Sequence, residues 1–320
     1  MPLARASWLP PRRRRLSRAR PAPTRPRRAR PPAQQQPMSP WCEETLELPT
    51  GGSTRVHRID GPGGAPTLIL LHGLGATARL NWATSLEALG SRYRVVAFDQ
   101  RGHGRGIAGS GGSFRLERCA DDVISVADRL NIGAFIPVGY SMGGAVAQLT
   151  WRRHPSRVSG LVLCATAPRF ANQRLRRVAH LSGPVVSLAA RVAPDSAWQR
   201  ASEQMIAARG LSPEARRRLE EEVRASDPVA ILEAGIAVAA FDSERWISQI
   251  DVPTAVVLTT QDLHVAPERQ RRLVDRIPEA HAFPVHADHI ACVRRPDLFV
   301  PQLLAAAQWV EERIGVRATA

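Results

Sequence analysis

The chain contains no lysine, so all 44 basic residues are arginine. Without lysine there is no P-loop, and the glycines at 73 and 75 carry no nucleotide-binding signal by themselves. No stretch approaches the roughly 20 consecutive apolar residues that a membrane-spanning helix needs. Cysteine is scarce, and Cys42, Cys119, Cys164 and Cys292 stand far apart with no CxxC pair. That spacing speaks against a zinc ribbon or a dithiol redox pair, and the four read as free thiols of a reducing, cytoplasmic compartment. There is no HExxH and no dense Asp/Glu/His cluster, so no metal and no cofactor is implied. Acidic residues are missing from residues 1–37, where eleven of the arginines sit.

That local imbalance accounts for most of the net charge of +15; without those eleven arginines residues 38–320 carry only +4. The body is therefore mildly basic, and the excess of arginine reads as a composition bias rather than a nucleic-acid site. Residues 1–40 also hold 10 of the 26 prolines. Proline removes helix donors and like charges repel, so 1–40 reads as a disordered tail. It lacks the apolar core of a secretory signal and has too many prolines for an amphipathic presequence. Contact of this tail with nucleic acid or an anionic membrane is the functional alternative to a solvated tail or a translation start at Met38.

From residue 41 onward the composition, 44% hydrophobic over the whole chain, suits one large globular domain. Glu43–Leu48 and Thr54–Ile59 read as strands joined at Gly51-Gly52. Thr67–Leu71, Arg94–Phe98, Ala134–Val138, Ser159–Cys164, Thr254–Thr259 and Ala282–Val285 are short apolar runs, as expected of strands buried on both faces. Helical spacing fits Asn81–Leu89, Leu116–Leu130, Met142–His154 and Asp297–Ile314, with a flexible loop over Gly106–Ser113. Residues 169–246 lose the strand signal and read as Arg-rich helices, broken near Gly183-Pro184, Pro194, Gly210–Pro213 and Pro228. Strands alternating with helices predict an α/β fold with a mostly parallel sheet. The divisions are a core of 41–168 and 247–316 and a helical cap of 169–246 over the sheet's carboxyl edge, where such sheets bind ligands.

Gly139-Tyr140-Ser141-Met142-Gly143 matches G-x-S-x-G, between a predicted strand and a predicted helix. Such a turn lifts the serine hydroxyl above the sheet edge, at a helix N-terminus that favours developing negative charge. A serine hydroxyl needs a base, and the base an orienting carboxylate. Downstream, Asp262 follows the strand Thr254–Thr259, and His286 and His289 follow the strand Ala282–Val285.

Five pieces in order carry a resemblance to the α/β-hydrolase superfamily. They are His72-Gly73-Leu74-Gly75, Asp99-Gln100-Arg101-Gly102-His103-Gly104, the serine turn, the Asp262 turn and the histidine loop. The resemblance spans about residues 43–316, in the serine-nucleophile, capped branch of esterases, lactonases and haloperoxidase-like enzymes. It implies Ser141 as nucleophile, Asp262 as acid and His289 as base; family members often place proline seven residues after that histidine, as Pro296 stands here. It also implies an oxyanion hole of the Leu74 and Met142 amides. The usual glycine before the base is Asp288 here. That carboxylate either raises the His289 pKa or faces solvent. The turn after the next strand, Ala165–Pro168, offers no competing acid. Asp288 is the weaker alternative.

His72, His103 and Arg101 read as turn-stabilising, with Arg101 tying down the Asp99 loop. His264 reads as a surface histidine. Trp82, Trp198, Trp246 and Phe241 read as packing residues, and Cys164 as inert. The resulting expectation is a cofactor-free serine hydrolase of a carboxylic ester, thioester or lactone, acting on a small acyl substrate. Its alternatives are enol-lactonase, carbon–carbon bond hydrolase or haloperoxidase-type activity. An alternative of another class is a non-catalytic binding protein on the same scaffold.

Overall fold

The computed structural model describes residues 41–49, 51–108, 114–192, 198, 200 and 213–319. The reading of residues 1–40, and the expected breaks at Pro194 and Gly210, lie outside them, as does most of the Gly106–Ser113 loop. The centre is an eight-stranded sheet of β1 (Cys42–Glu47), β2 (Ser53–Ile59), β3 (Thr67–Leu71), β4 (Arg94–Phe98), β5 (Ile136–Tyr140), β6 (Leu161–Cys164), β7 (Thr254–Thr259) and β8 (His281–Val285). Their spatial order is β1-β2-β4-β3-β5-β6-β7-β8. The β1–β2 hairpin is antiparallel, β2 meets β4 antiparallel, and every later pairing is parallel.

Alternation along the central strands sends Leu68 and Leu70 to one face and Ile69 and Leu71 to the other. Helices α1 (Ala78–Gly90) and α9 (Pro296–Thr319) cover the first face, through Trp82, Leu86, Phe299 and Leu303. Helices α2 (Leu116–Arg129), α3 (Met142–Arg153) and α7 (Pro267–Arg276) cover the second, through Val123, Val146 and Leu273. A sheet covered on both faces leaves its ends as the place for a ligand. The chain runs from β3 outward to β4 and then returns to the other side of β3 with β5, which opens a crevice at their carboxyl ends.

Between β6 and β7 the described residues form α4 (Gln173–Arg191), α5 (Pro213–Arg224) and α6 (Pro228–Ala240). The two ends of this excursion meet: Arg169 bridges Asp242, and Ser243 N–H donates to Pro168 O at 2.9 Å. Asp227 caps α6 by accepting from the amides of Val229 and Ala230, and Pro228 stands in the first turn, where it forfeits no intrahelical bond.

Three expectations need correction. Helix α4 runs unbroken through Gly183-Pro184. A Cβ on Gly183 would stand 3.0 Å from Ile236 Cγ2, so close packing of α4 on α6 outweighs the one backbone bond that proline removes. The strand expected at Ala134–Val138 lies two residues later, because Phe135 is held only by an isolated bridge to Val158. Arg101 ties the Asp99 loop to α2 rather than to itself: its fork donates to both oxygens of Asp122, at 3.0 and 2.7 Å. Asp99 instead accepts from the amides of Ala78 and Arg105.

Candidate active site

Ser141 lies between β5 and α3 at φ 52° and ψ −113°, a conformation that L residues rarely adopt. Three bonds hold it there. Its N–H donates to Cys164 O at 2.9 Å, while its carbonyl accepts from Thr166 Oγ1 at 2.8 Å and Gly144 N–H at 2.9 Å. The flanking glycines are needed for space. A Cβ on Gly139 would come within 2.3 Å of Gly143 O, and one on Gly143 within 2.1 Å of Leu71 O. The turn after β6 therefore braces the serine rather than supplying an acid.

The chain brings Ser141, His289 and Asp262 into one hydrogen-bonded line. His289 Nε2 is 3.0 Å from Ser141 Oγ, and His289 Nδ1 is 2.6 Å from Asp262 Oδ2. The Asp262 side chain is fully buried and that of His289 is 15% exposed. Asp262 accepts on Oδ2 also from Thr259 Oγ1 and Gln270 Nε2, and on Oδ1 from the amides of His264 and Val265. Burial pushes this carboxyl up, but the hydrogen bonds and charge of His289, with those from Val265 and Thr259, outweigh it and hold it below the ordinary value. Tyr140 Oη donates to the His289 carbonyl at 2.7 Å and fixes the loop from behind.

The other histidines have different surroundings. His286 is exposed and lies within 3.1 Å of Thr260 Oγ1 and 3.0 Å of Gln261 Nε2, away from the serine. Asp288 receives the Ile290 amide and pairs with Arg294, so its carboxylate is engaged on the turn that follows the histidine. His264 is exposed, as expected of a surface residue, yet its ring lies 5.1 Å from that of His289 at an interplanar angle of 30°. Trp82 and Phe241 are buried, and Trp246 stacks on Trp151 at 6.3 Å, consistent with packing roles.

The turn after β3 faces the serine from the other side; a Cβ on Gly73 would lie 3.4 Å from Ser141 Cβ. His72 Nε2 accepts from Gln100 N–H at 2.9 Å, so the proton is on Nδ1, which donates to Gly73 O at 2.9 Å. Ala76 N–H donates to the same carbonyl at 3.2 Å. In a trans peptide the Leu74 N–H then projects to the opposite side. Met142 N–H is at the first position of α3, where no carbonyl one turn earlier in the helix can accept it. Burial holds His72 neutral, lowering its pKa to about 4, and burial with the nearby His72 lowers that of His103 to about 3. Both act as neutral struts. Composition gave no sign of Asn81, Tyr140, Thr259 or Gln270 at the site, because such roles depend on contacts distant in sequence.

A sequence model described as alpha/beta hydrolase fold matches residues 66–296. A protein of Agrobacterium fabrum that carries the name of a carbamate hydrolase, RutD, is 28% identical over 259 residues, covering 75% of this chain and 92% of the relative. A pimeloyl-[acyl-carrier protein] methyl ester esterase of Chromobacterium violaceum is 29% identical over 251 residues, covering 75% and 94%. Among solved structures, the enol-lactonase of Burkholderia xenovorans superposes with a TM-score of 0.65 at 25% identity, covering 83% of this chain and all of that one.

Proposed function

The chain belongs to the α/β-hydrolase fold family and is a hydrolase of that class; from that premise we propose that it is a serine hydrolase of carboxylic esters, thioesters or lactones. The observation that carries this reading is the line Ser141 Oγ–His289 Nε2–Asp262, with spacings of 3.0 and 2.6 Å. His289 Nε2 takes the Ser141 proton as Oγ attacks the substrate carbonyl. Asp262 accepts from Nδ1–H, holds the tautomer and stabilises the imidazolium. The Leu74 and Met142 amides receive the oxyanion, and losing one such donor costs about 3–4 kcal/mol in comparable sites. His289 then protonates the leaving oxygen or sulfur, and a water activated by the same ring releases the acyl group.

The ester and lactone classes are supported by relatives named for a methyl ester and an enol-lactone; these, like the carbamate of another relative's name, present a carbonyl to a nucleophile. The helices of 169–246 act as the cap. Gly102 packs against Ala230 and Gly235 lies beside Leu74, so α6 stands over the turn that bears the oxyanion donor. Among the described residues no helix is long and apolar enough to cross a membrane. Free cysteines at 42, 119, 164 and 292 accord with a cytoplasmic setting.

The test is covalent labelling with a fluorophosphonate, which needs no guess about substrate. Labelling that maps to Ser141 and vanishes in Ser141→Ala supports an activated nucleophile, and a panel of esters, thioesters, lactones and carbamates follows. A folded protein that takes up no label refutes the reading in favour of a binding role.

A further inference from the structure

We propose that Asn81 is a positioning residue for the oxyanion site; this rests on the serine-hydrolase reading. Its side chain holds the Gly73 peptide so that the Leu74 amide stays aimed at the reacting carbonyl.

Gly73 closely approaches Ser141, and a glycine leaves the peptides on either side free to turn. The rigidity must come from other residues. The peptide that follows Gly73 is held at its carbonyl by His72 Nδ1 and Ala76 N–H. The peptide that precedes it is held at its N–H by Asn81 Oδ1, at 3.0 Å. Asn81 is buried in the first turn of α1, a helix anchored separately by Trp82, Leu86 and Leu89. An N–H can pair only with the oxygen of an amide side chain, which turns Asn81 Nδ2 toward Cys292 Sγ at 3.7 Å. One turn on, Thr84 Oγ1 donates to Cys292 O at 2.7 Å. Helix α1 thus grips both the turn after β3 and the turn that follows His289. A single amide spans the gap between the oxyanion side and the base side of the serine.

Replacing Asn81 leaves the Gly73 N–H buried without an acceptor, with Gln100 Nε2 on the His72 carbonyl, at 2.6 Å, as the remaining hold on that peptide. The experiment measures fluorophosphonate inactivation of wild type and Asn81→Ala, normalised to folded protein, against reagent concentration and pH. The phosphoryl oxygen of the reagent takes the place of the oxyanion. The expected result is a saturating rate lowered about 10- to 100-fold, with the half-saturating concentration within about threefold. The pH midpoint stays unchanged, because the base is untouched. An unchanged rate per folded molecule overturns the proposal. So does a moved pH midpoint, which would mean that Asn81 acts on His289 through Cys292.

Hydrogen exchange in the wild type supplies a second test that does not depend on the variant folding. The Gly73 amide should exchange slowly in the free protein, whereas the Leu74 amide should slow only after phosphonylation. Rapid exchange at Gly73 refutes the role of Asn81. Wild-type protein that takes no label instead defeats the serine-hydrolase reading, and this inference falls with it; that outcome is distinct from a labelled wild type with an indifferent variant.

Discussion

In the sheet, Leu68, Ile69, Leu70 and Leu71 are wholly buried, whereas helix α4 leaves Leu181 79% and Val185 70% exposed. The sheet is covered by helices on both faces, and residues from its carboxyl ends form the site. Among the described residues the insertion meets the core through the apolar side chains of Ala230, Ala234 and Phe241 and through polar contacts. Asp227 N–H donates to Gly102 O, Gly104 N–H to Ser226 Oγ, and Phe114 N–H to the buried Glu233, which also pairs with Arg191. A serine–histidine line held to a few tenths of an ångström requires the rigid part. On the proposed reading, the inserted helices cover the site and can differ in detail, so chemistry and access would fall to regions of different packing.

The sharpest test of that division is at the histidines. His289→Ala should lower the rate of ester cleavage about ten-thousandfold to a millionfold with little change in melting temperature. His286→Ala, on the same loop but turned to Thr260 and Gln261, should stay within about threefold. Equal losses from both would break the assignment of the base. Asp262→Asn should fall near the His289 value, because the carboxylate sets the tautomer. A normal rate in that variant would move the acid elsewhere.

Stability should separate the two regions next. Leu70→Ala removes a fully buried side chain and should cost about 2–5 kcal/mol in urea unfolding. Leu188→Ala, two-thirds exposed on α4, should change stability by about 0.5 kcal/mol or less. Similar costs at both positions would mean that α4 is packed as tightly as the sheet.

A further effect concerns pH. His72 and His103 have folded pKa values near 4 and 3, below the ordinary 6.5, so the unfolded chain binds protons more readily. Their contribution to stability is complete above about pH 6.5 and declines as pH falls toward those values. The slope is up to roughly 1.4 kcal/mol per pH unit for each histidine. His103→Asn, which retains a donor toward the Arg101 carbonyl, should reduce the slope between pH 4 and 6.5. An unchanged slope would assign the acid sensitivity to other groups.

Legibility from sequence follows the same division. The strands buried on both faces announce themselves as apolar runs, and β3, β4 and β7 lie where those runs place them. The serine turn is legible because its glycines answer to steric limits that act within a few residues. The insertion is less legible. Gly183-Pro184 looks like a break, yet α4 continues because its contact with Ile236 is made only in the folded chain. Arg101 looks like a partner for its own loop, yet Asp122, 21 residues on, takes its guanidinium.

What the sequence determined by itself was the order of parts: alternating strands and helices, a strained serine, then an aspartate and a histidine at the ends of later strands. Local sterics and the period of apolar residues are enough to write that order. Only the tertiary structure decided that Asp262 receives five hydrogen bonds and that Asn81 reaches Gly73. Those are matters of direction and distance between segments far apart in the chain, and they are settled by how the strands pair and how α1 packs on them.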